Sequence, residues 1–174
     1  LPWHSCKIGI PHYPFKWMVF QQYTMAGIRE LAARTNTVLP GNYVFCDGRG
    51  EIADLELTPE GCVWLKNVDG FFVHTNHFLG KPFSERPELA PQWPDSTSRY
   101  ARLHDLATAN LGHIDVDMVK RMMSDHEGYP HSVCRHGTLP QPVTLCCLIA
   151  EPEQRRMHVC AGNPCEGHFK TYSL

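Results

Sequence analysis

Four β-rich runs separated by three turn tetrads constrain this chain more than any other feature. Tyr43 to Asp47, Glu51 to Leu57, Gly61 to Leu65 and Phe71 to Thr75 are divided by DGRG, TPEG and NVDG. Turn residues recurring every eight to ten positions between such runs predict an antiparallel meander. Ahead of it, Phe15, Val19, Tyr23, Ala26, Ile28, Leu31 and Ala32 fall at mostly helical spacing, which predicts one helix from Phe15 to Arg34. TNTVLPGN then breaks the pattern, with Pro40 and Gly41 in a turn.

After the meander, Lys81 to Asp95 holds Pro82, Pro87, Pro91 and Pro94, a long irregular loop of the kind that lines sites. A second helix is expected from about Ser98 to Leu111. A third follows, with Asp115 as its N-cap and Ile114 and Val119 at the positions of a hydrophobic staple. Pro142 to Ala150, Arg156 to Ala161 and Gly167 to Tyr172 read as closing strands. Neither face of VTLCCLIA is polar, so that strand is expected to be covered on both sides. Together these elements predict an α+β layered protein, residues 1–174 forming one domain.

The formal net charge of -2 leaves no basic footprint, so nucleic acid and anionic membrane surfaces are poor partners, and a small neutral ligand fits better. No apolar run approaches the roughly 20 residues that cross a bilayer, and LPWHSCKIG lacks the build of a signal peptide, so the chain reads as soluble. Most of the eight cysteines sit in apolar, strand-like segments, which favours buried free thiols in a reducing cytoplasm over a disulfide framework. Cys160 and Cys165, flanking AGNP, are the pair to test for a bridge.

Two segments carry chemistry. In GFFVHTNHFLG, a strand would send His74 and Asn76 to one face and Thr75 and His77 to the other. Zinc needs three or four converging ligands, so a polar strand end is the plainer reading of two histidines on opposite faces. In YPHSVCRH, Arg135 after a short strand could pair with a carboxylate or polarise a carbonyl, or simply be solvated at an edge. Alternation sends Cys134 away from Arg135, favouring a core role over that of a thiol nucleophile. A serine-histidine-carboxylate site has histidines to draw on, but no GxSxG elbow is present.

VHTNHF, the proline loop, SRYARLHDLA, YPHSVCRH and RRMHVCAGNPCEGHF, in that order, resemble the acyl-coenzyme A:6-aminopenicillanic acid acyltransferases. The β-alanyl amine hydrolases acting on β-alanyl-dopamine and carcinine are related members. GIPHYPFKW through GNYVFCDGRGEIADLELTPEG is similar too, so the resemblance covers nearly the whole chain. It implies an αββα sandwich of two antiparallel sheets between helical layers. It also implies a precursor that cleaves itself before a cysteine whose thiol attacks an amide or thioester, with that cysteine's α-amino group as base. By position, Asn76 would be the oxyanion-stabilising asparagine and Arg135 the arginine near the site. Ser132 and Tyr129 would be pocket neighbours, and His74, on the substrate side, would shape the strand end with His77 rather than transfer protons.

The family's nucleophile lies upstream of GIPHYP, and neither Leu1 nor Pro2 provides one. Cys6 precedes KIGIP and not the strand the mechanism requires. The expectation is therefore a C-terminal portion with its leading strands missing, inactive alone, whose partner is an upstream segment or processed subunit carrying the cysteine. A processed chain and a degenerate, non-catalytic binding or structural relative are the rivals. A zinc hydrolase using His74 and His77 is a third reading. No organic cofactor or metal is implied, and the substrate would be a small amide or thioester, acyl-coenzyme A in the acyltransferase branch.

Overall fold

A computed structural model describes residues 8–67, 69–89, 95–137 and 141–173. The chain divides into two compact units, Leu1–Gln92 and Trp93–Leu174. Each carries helices and a three-stranded antiparallel sheet, so the chain is α+β. No helix among the described residues is long and apolar enough to cross a membrane. Leu1, Pro2 and Cys6 lie outside the described residues.

In the first unit the single helix expected from Phe15 to Arg34 is two, α1 (His12–Phe20) and α2 (Met25–Arg34). Thr24 makes the break: its backbone is extended and its hydroxyl accepts the Gly27 amide at 3.0 Å, starting a new helix there. Apolar spacing ran through the break because both helices bury the same face. Phe15, Val19, Met25, Ile28 and Ala32 pack with Ala53, Leu55 and Leu57 in one core.

The meander forms as expected, with β1 (Gly41–Cys46), β2 (Ile52–Thr58) and β3 (Gly61–Lys66) side by side in sequence order. Central β2 has two faces. Ala53, Leu55 and Leu57 meet the helices, and period-two alternation puts Asp54, Glu56 and Thr58 on the other face, also buried. The Arg29 guanidinium lies 4.4 Å above the Trp64 ring.

The fourth expected strand, Phe71 to Thr75, is absent. Here His74 and, further on, the Leu79 and Gly80 amides bond the Glu56 side chain. The proline stretch folds into two short 3-10 turns, Phe83–Glu85 and Pro87–Leu89. Its Phe83 and Leu89 join Phe78 and Val63 in a small core, and residues 90–94, with Pro91 and Pro94, lie outside the described ones.

The second unit starts with α3 (Asp95–Ala109) and α4 (Val116–Met123). Asp115 caps α4 as expected, accepting the Met118 amide at 2.7 Å. The strands β4 (Cys146–Glu151), β5 (Arg156–Ala161) and β6 (Phe169–Ser173) follow, paired antiparallel in that order. VTLCCLIA is not covered on both sides. Cys147 and Ile149 pack with Cys160, Val119, Met123 and Phe169, whereas Leu148 on the opposite face is 61% exposed. The seven described cysteines are free, Cys160 and Cys165 included.

Candidate active site

The HTNH segment is held by one carboxylate. Glu56 projects from central β2, where two sheet neighbours fix its backbone, and its side chain is fully buried. Its Oε1 lies 2.9 Å from His74 Nε2 and accepts the Leu79 amide at 2.6 Å, and its Oε2 accepts the Gly80 amide at 3.0 Å. Residues 74–80 therefore form an arch tied at both feet to Glu56. A Cβ on Gly80 would come within 2.9 Å of Glu56 Oε2 and 2.8 Å of Val63, so only glycine fits that foot without displacement. Asn76 is exposed on the bend between the feet.

His74 is thus an anchor rather than an open pocket wall. Its side chain is 4% exposed, and its Nδ1 lies 2.7 Å from the Thr75 carbonyl oxygen. Burial alone disfavours the imidazolium. The Glu56 hydrogen bond and the nearby Asp54 charge outweigh it and hold the His74 pKa above its ordinary 6.5. Asp54 lies beside this pair, with its Oδ2 3.8 Å from His74 Nε2 and its Oδ1 accepting the Asn42 side-chain amide. Burial pushes its carboxyl up to about 6, against the pull of His74 and Asn42. Among the described residues its Oδ2 is the buried side-chain oxygen without a hydrogen bond.

Asp54, Glu56 and His74 bring three possible metal-ligand atoms within 4.8 Å of one another. Both Glu56 oxygens already accept hydrogen bonds, so the group works as a charged hydrogen-bond network. His77 is not among these three, and its Nδ1 lies 3.1 Å from Thr75 Oγ1. Next to the arch, His77, Phe78, Phe83, Arg86 and Leu89 help line a pocket of about 280 Å³.

In the second unit, no strand precedes Arg135; residues 131–134 are bends, followed by an isolated bridge between His136 and Val143. This YPHSVCRH box is stiffened by hydrogen bonds to its backbone. The Ser132 hydroxyl, 1% exposed, donates to the Cys134 carbonyl at 2.6 Å, and the Cys134 amide donates to the Asp125 carbonyl at 3.0 Å. The Arg135 amide donates to Thr144 Oγ1 at 3.0 Å, and the Asn163 side-chain amide donates to the Arg135 carbonyl at 2.8 Å. Tyr129 is 65% exposed at the start of the segment.

Asp95, buried in the first turn of α3 where the helix dipole favours an anion, takes two guanidiniums on one oxygen. Arg99 Nε reaches its Oδ2 at 2.9 Å and Arg135 Nη1 at 3.3 Å. Burial, and then the neighbouring Arg135 charge, hold the Arg99 pKa below its ordinary value. Beside the box, Arg99, Arg102, Glu127, His131 and Val133 help line a groove of about 350 Å³.

Each motif segment is thus pinned by a buried carboxylate next to a concavity, within an α+β chain built on antiparallel sheets. The sequence model of the family described as acyl-coenzyme A:6-aminopenicillanic acid acyl-transferase matches residues 28–166, a span containing both segments, and the chain belongs to that family. A search of curated proteins finds no match. Glu56, Asp54 and Asp95 went unnoticed in the sequence. Alternating carboxylates in IADLELT, on an otherwise apolar central strand, were the available signal for the first two.

Proposed function

We propose that this chain is the C-terminal portion of a cysteine-nucleophile amide hydrolase or acyltransferase of αββα architecture. Its nucleophile would come from an upstream segment or a processed subunit. The observation that carries the reading is the family match across both motif segments. The Glu56-tied arch supports it, because catalysis by a hydrogen-bond donor depends on the donor being held in place before the reaction.

The thiolate sulfur attacks the carbonyl carbon of a thioester or amide, a C–S bond forms, and the carbonyl electron pair moves to oxygen. Asn76 Nδ2–H donates to that oxyanion. Collapse expels the coenzyme A thiolate, or an amine protonated by the nucleophile's own α-amino group, and leaves an acyl-enzyme. Water or an acceptor amine then attacks the acyl carbon and releases the sulfur. Arg135, oriented by Asp95, faces a substrate carboxylate or carbonyl, with Tyr129 at the pocket edge. Ser132 and His74 act as positioning residues, one inside the box and one at the foot of the arch. No organic cofactor takes part, and a reducing compartment such as the cytoplasm suits a free thiol nucleophile.

The test is mass spectrometry of the native protein with its upstream sequence, before and after exposure to acyl-coenzyme A and to amide substrates. A polypeptide beginning with cysteine that gains the acyl mass supports the reading. A protein with no such polypeptide, no adduct and no turnover of either donor class is the non-catalytic module instead.

A further inference from the structure

Away from the Asp95 pair, the second unit gathers four side chains that the acyl-transfer reading does not use. His126 Nε2 and His136 Nε2 are 2.9 Å apart, and Cys134 Sγ and Cys165 Sγ are 3.7 Å apart. His136 Nε2 lies 3.6 Å from Cys134 Sγ and 3.3 Å from Cys165 Sγ. All four donor atoms fall within 4.8 Å of one another.

These separations match the edges of a coordination tetrahedron. Zinc bonds of roughly 2.3 Å to sulfur and 2.0–2.1 Å to nitrogen imply S–S, S–N and N–N edges of about 3.8, 3.5 and 3.3 Å. The S–S edge and the two edges from His136 to sulfur agree within a few tenths of an ångström, and the two imidazoles need to spread by about 0.4 Å. Thiolate and imidazole together select zinc over magnesium or calcium, which take oxygen donors.

The surroundings fit a bound metal as well. Asn163 Nδ2 donates to Cys134 Sγ at 3.4 Å, a hydrogen bond that steadies a thiolate ligand. Three ligands come from the irregular stretch between α4 and β4, and the fourth from the 3-10 turn Pro164–Glu166 after β5. A stretch with so little regular structure is where a small unit benefits from a metal staple.

We propose that His126, Cys134, His136 and Cys165 bind one zinc ion in a closed tetrahedral site. The imidazoles coordinate as neutral rings through Nε2, and the two thiols release their protons to solvent as the Zn–S bonds form. The ion clamps the backbone on both sides of Arg135, which lies between two ligands. This inference does not depend on the acyl-transfer reading.

The test uses the chain prepared without a polyhistidine tag, under reducing conditions with zinc supplied. One equivalent of zinc by elemental analysis is expected. Cobalt(II) exchanged for it should show thiolate-to-metal charge transfer and the strong d–d absorption of a tetrahedral ion. Cys165→Ser, at an exposed ligand, should weaken zinc against a competing chelator by about 100-fold or more, whereas Cys146→Ser, exposed on β4, should leave affinity unchanged. The cobalt spectrum of the unmodified chain needs no variant to fold. Substoichiometric zinc, a cobalt spectrum without thiolate charge transfer, or a Cys134–Cys165 disulfide in the zinc-supplied protein would each overturn the proposal.

Discussion

The Glu56 arch and the thiol-imidazole cluster solve the same problem with different chemistry. Both immobilise a segment that no sheet ladder holds. The first uses a buried carboxylate that gathers an imidazole and two backbone amides. The second gathers two sulfurs and two imidazoles in a loop-rich region. A hard, charged anchor should respond to protons and to loss of its carboxylate, and a soft one to chelators and oxidants. The two halves of the chain should therefore be separable by reagent.

The largest expected effect breaks the first anchor. Glu56→Ala leaves His74 and the Leu79 and Gly80 amides without their partner, and should destabilise the chain by roughly 3–5 kcal/mol. Urea unfolding gives the loss, and hydrogen exchange should speed up at Leu79 and Gly80. If both amides kept their protection, the arch would not hang on Glu56. Next comes Asn76→Ala, which in the complete enzyme should lower turnover about 10²–10³-fold with the fold intact. Full turnover in that variant would remove Asn76 from the oxyanion role.

A third prediction sharpens the contrast through pH. Asp54 titrates at about 6 in the fold against its ordinary 3.8, so its contribution is complete below about 4 and fades as pH rises toward 6. His74, raised above 6.5, contributes in the same direction and fades at higher pH. The whole chain's curve also contains Asp125, Asp117 and Glu151, which are lowered and act oppositely. The informative quantity is thus the difference between wild type and Asp54→Asn. Between pH 4 and 6 the wild type should lose about 2 kcal/mol relative to the variant. Parallel stability curves would contradict this. The smallest effects are controls: Thr24→Ala and Asp115→Ala should each cost about 1 kcal/mol by thermal melting, one cap per unit, without changing either anchor's response to its reagent.

The meander, the Asp115 cap and the two motif segments were legible because each is written in neighbouring residues. The break at Thr24 was hidden, since apolar spacing continues across it and a cap made by one hydroxyl leaves no trace in periodicity. Phe71 to Thr75 looked like a strand by composition, but the partner of His74 is a carboxylate 18 residues earlier. VTLCCLIA is apolar throughout, so its sequence could not reveal that Leu148 faces outward. Cys134 was read as core, and it is fully buried, yet its sulfur meets His136, Cys165 and Asn163. Burial follows local pattern, whereas those partners return from up to 31 residues away.

The guanidinium stacked on Trp64 gives the first unit an optical label. Among the described residues the tryptophans are Trp17 and Trp64, both before residue 92, and Trp17 is 67% exposed. In a Trp3→Phe, Trp93→Phe background, emission that shifts on melting reports Trp64 leaving Arg29, so it watches the arch-bearing half while a cobalt band watches the other.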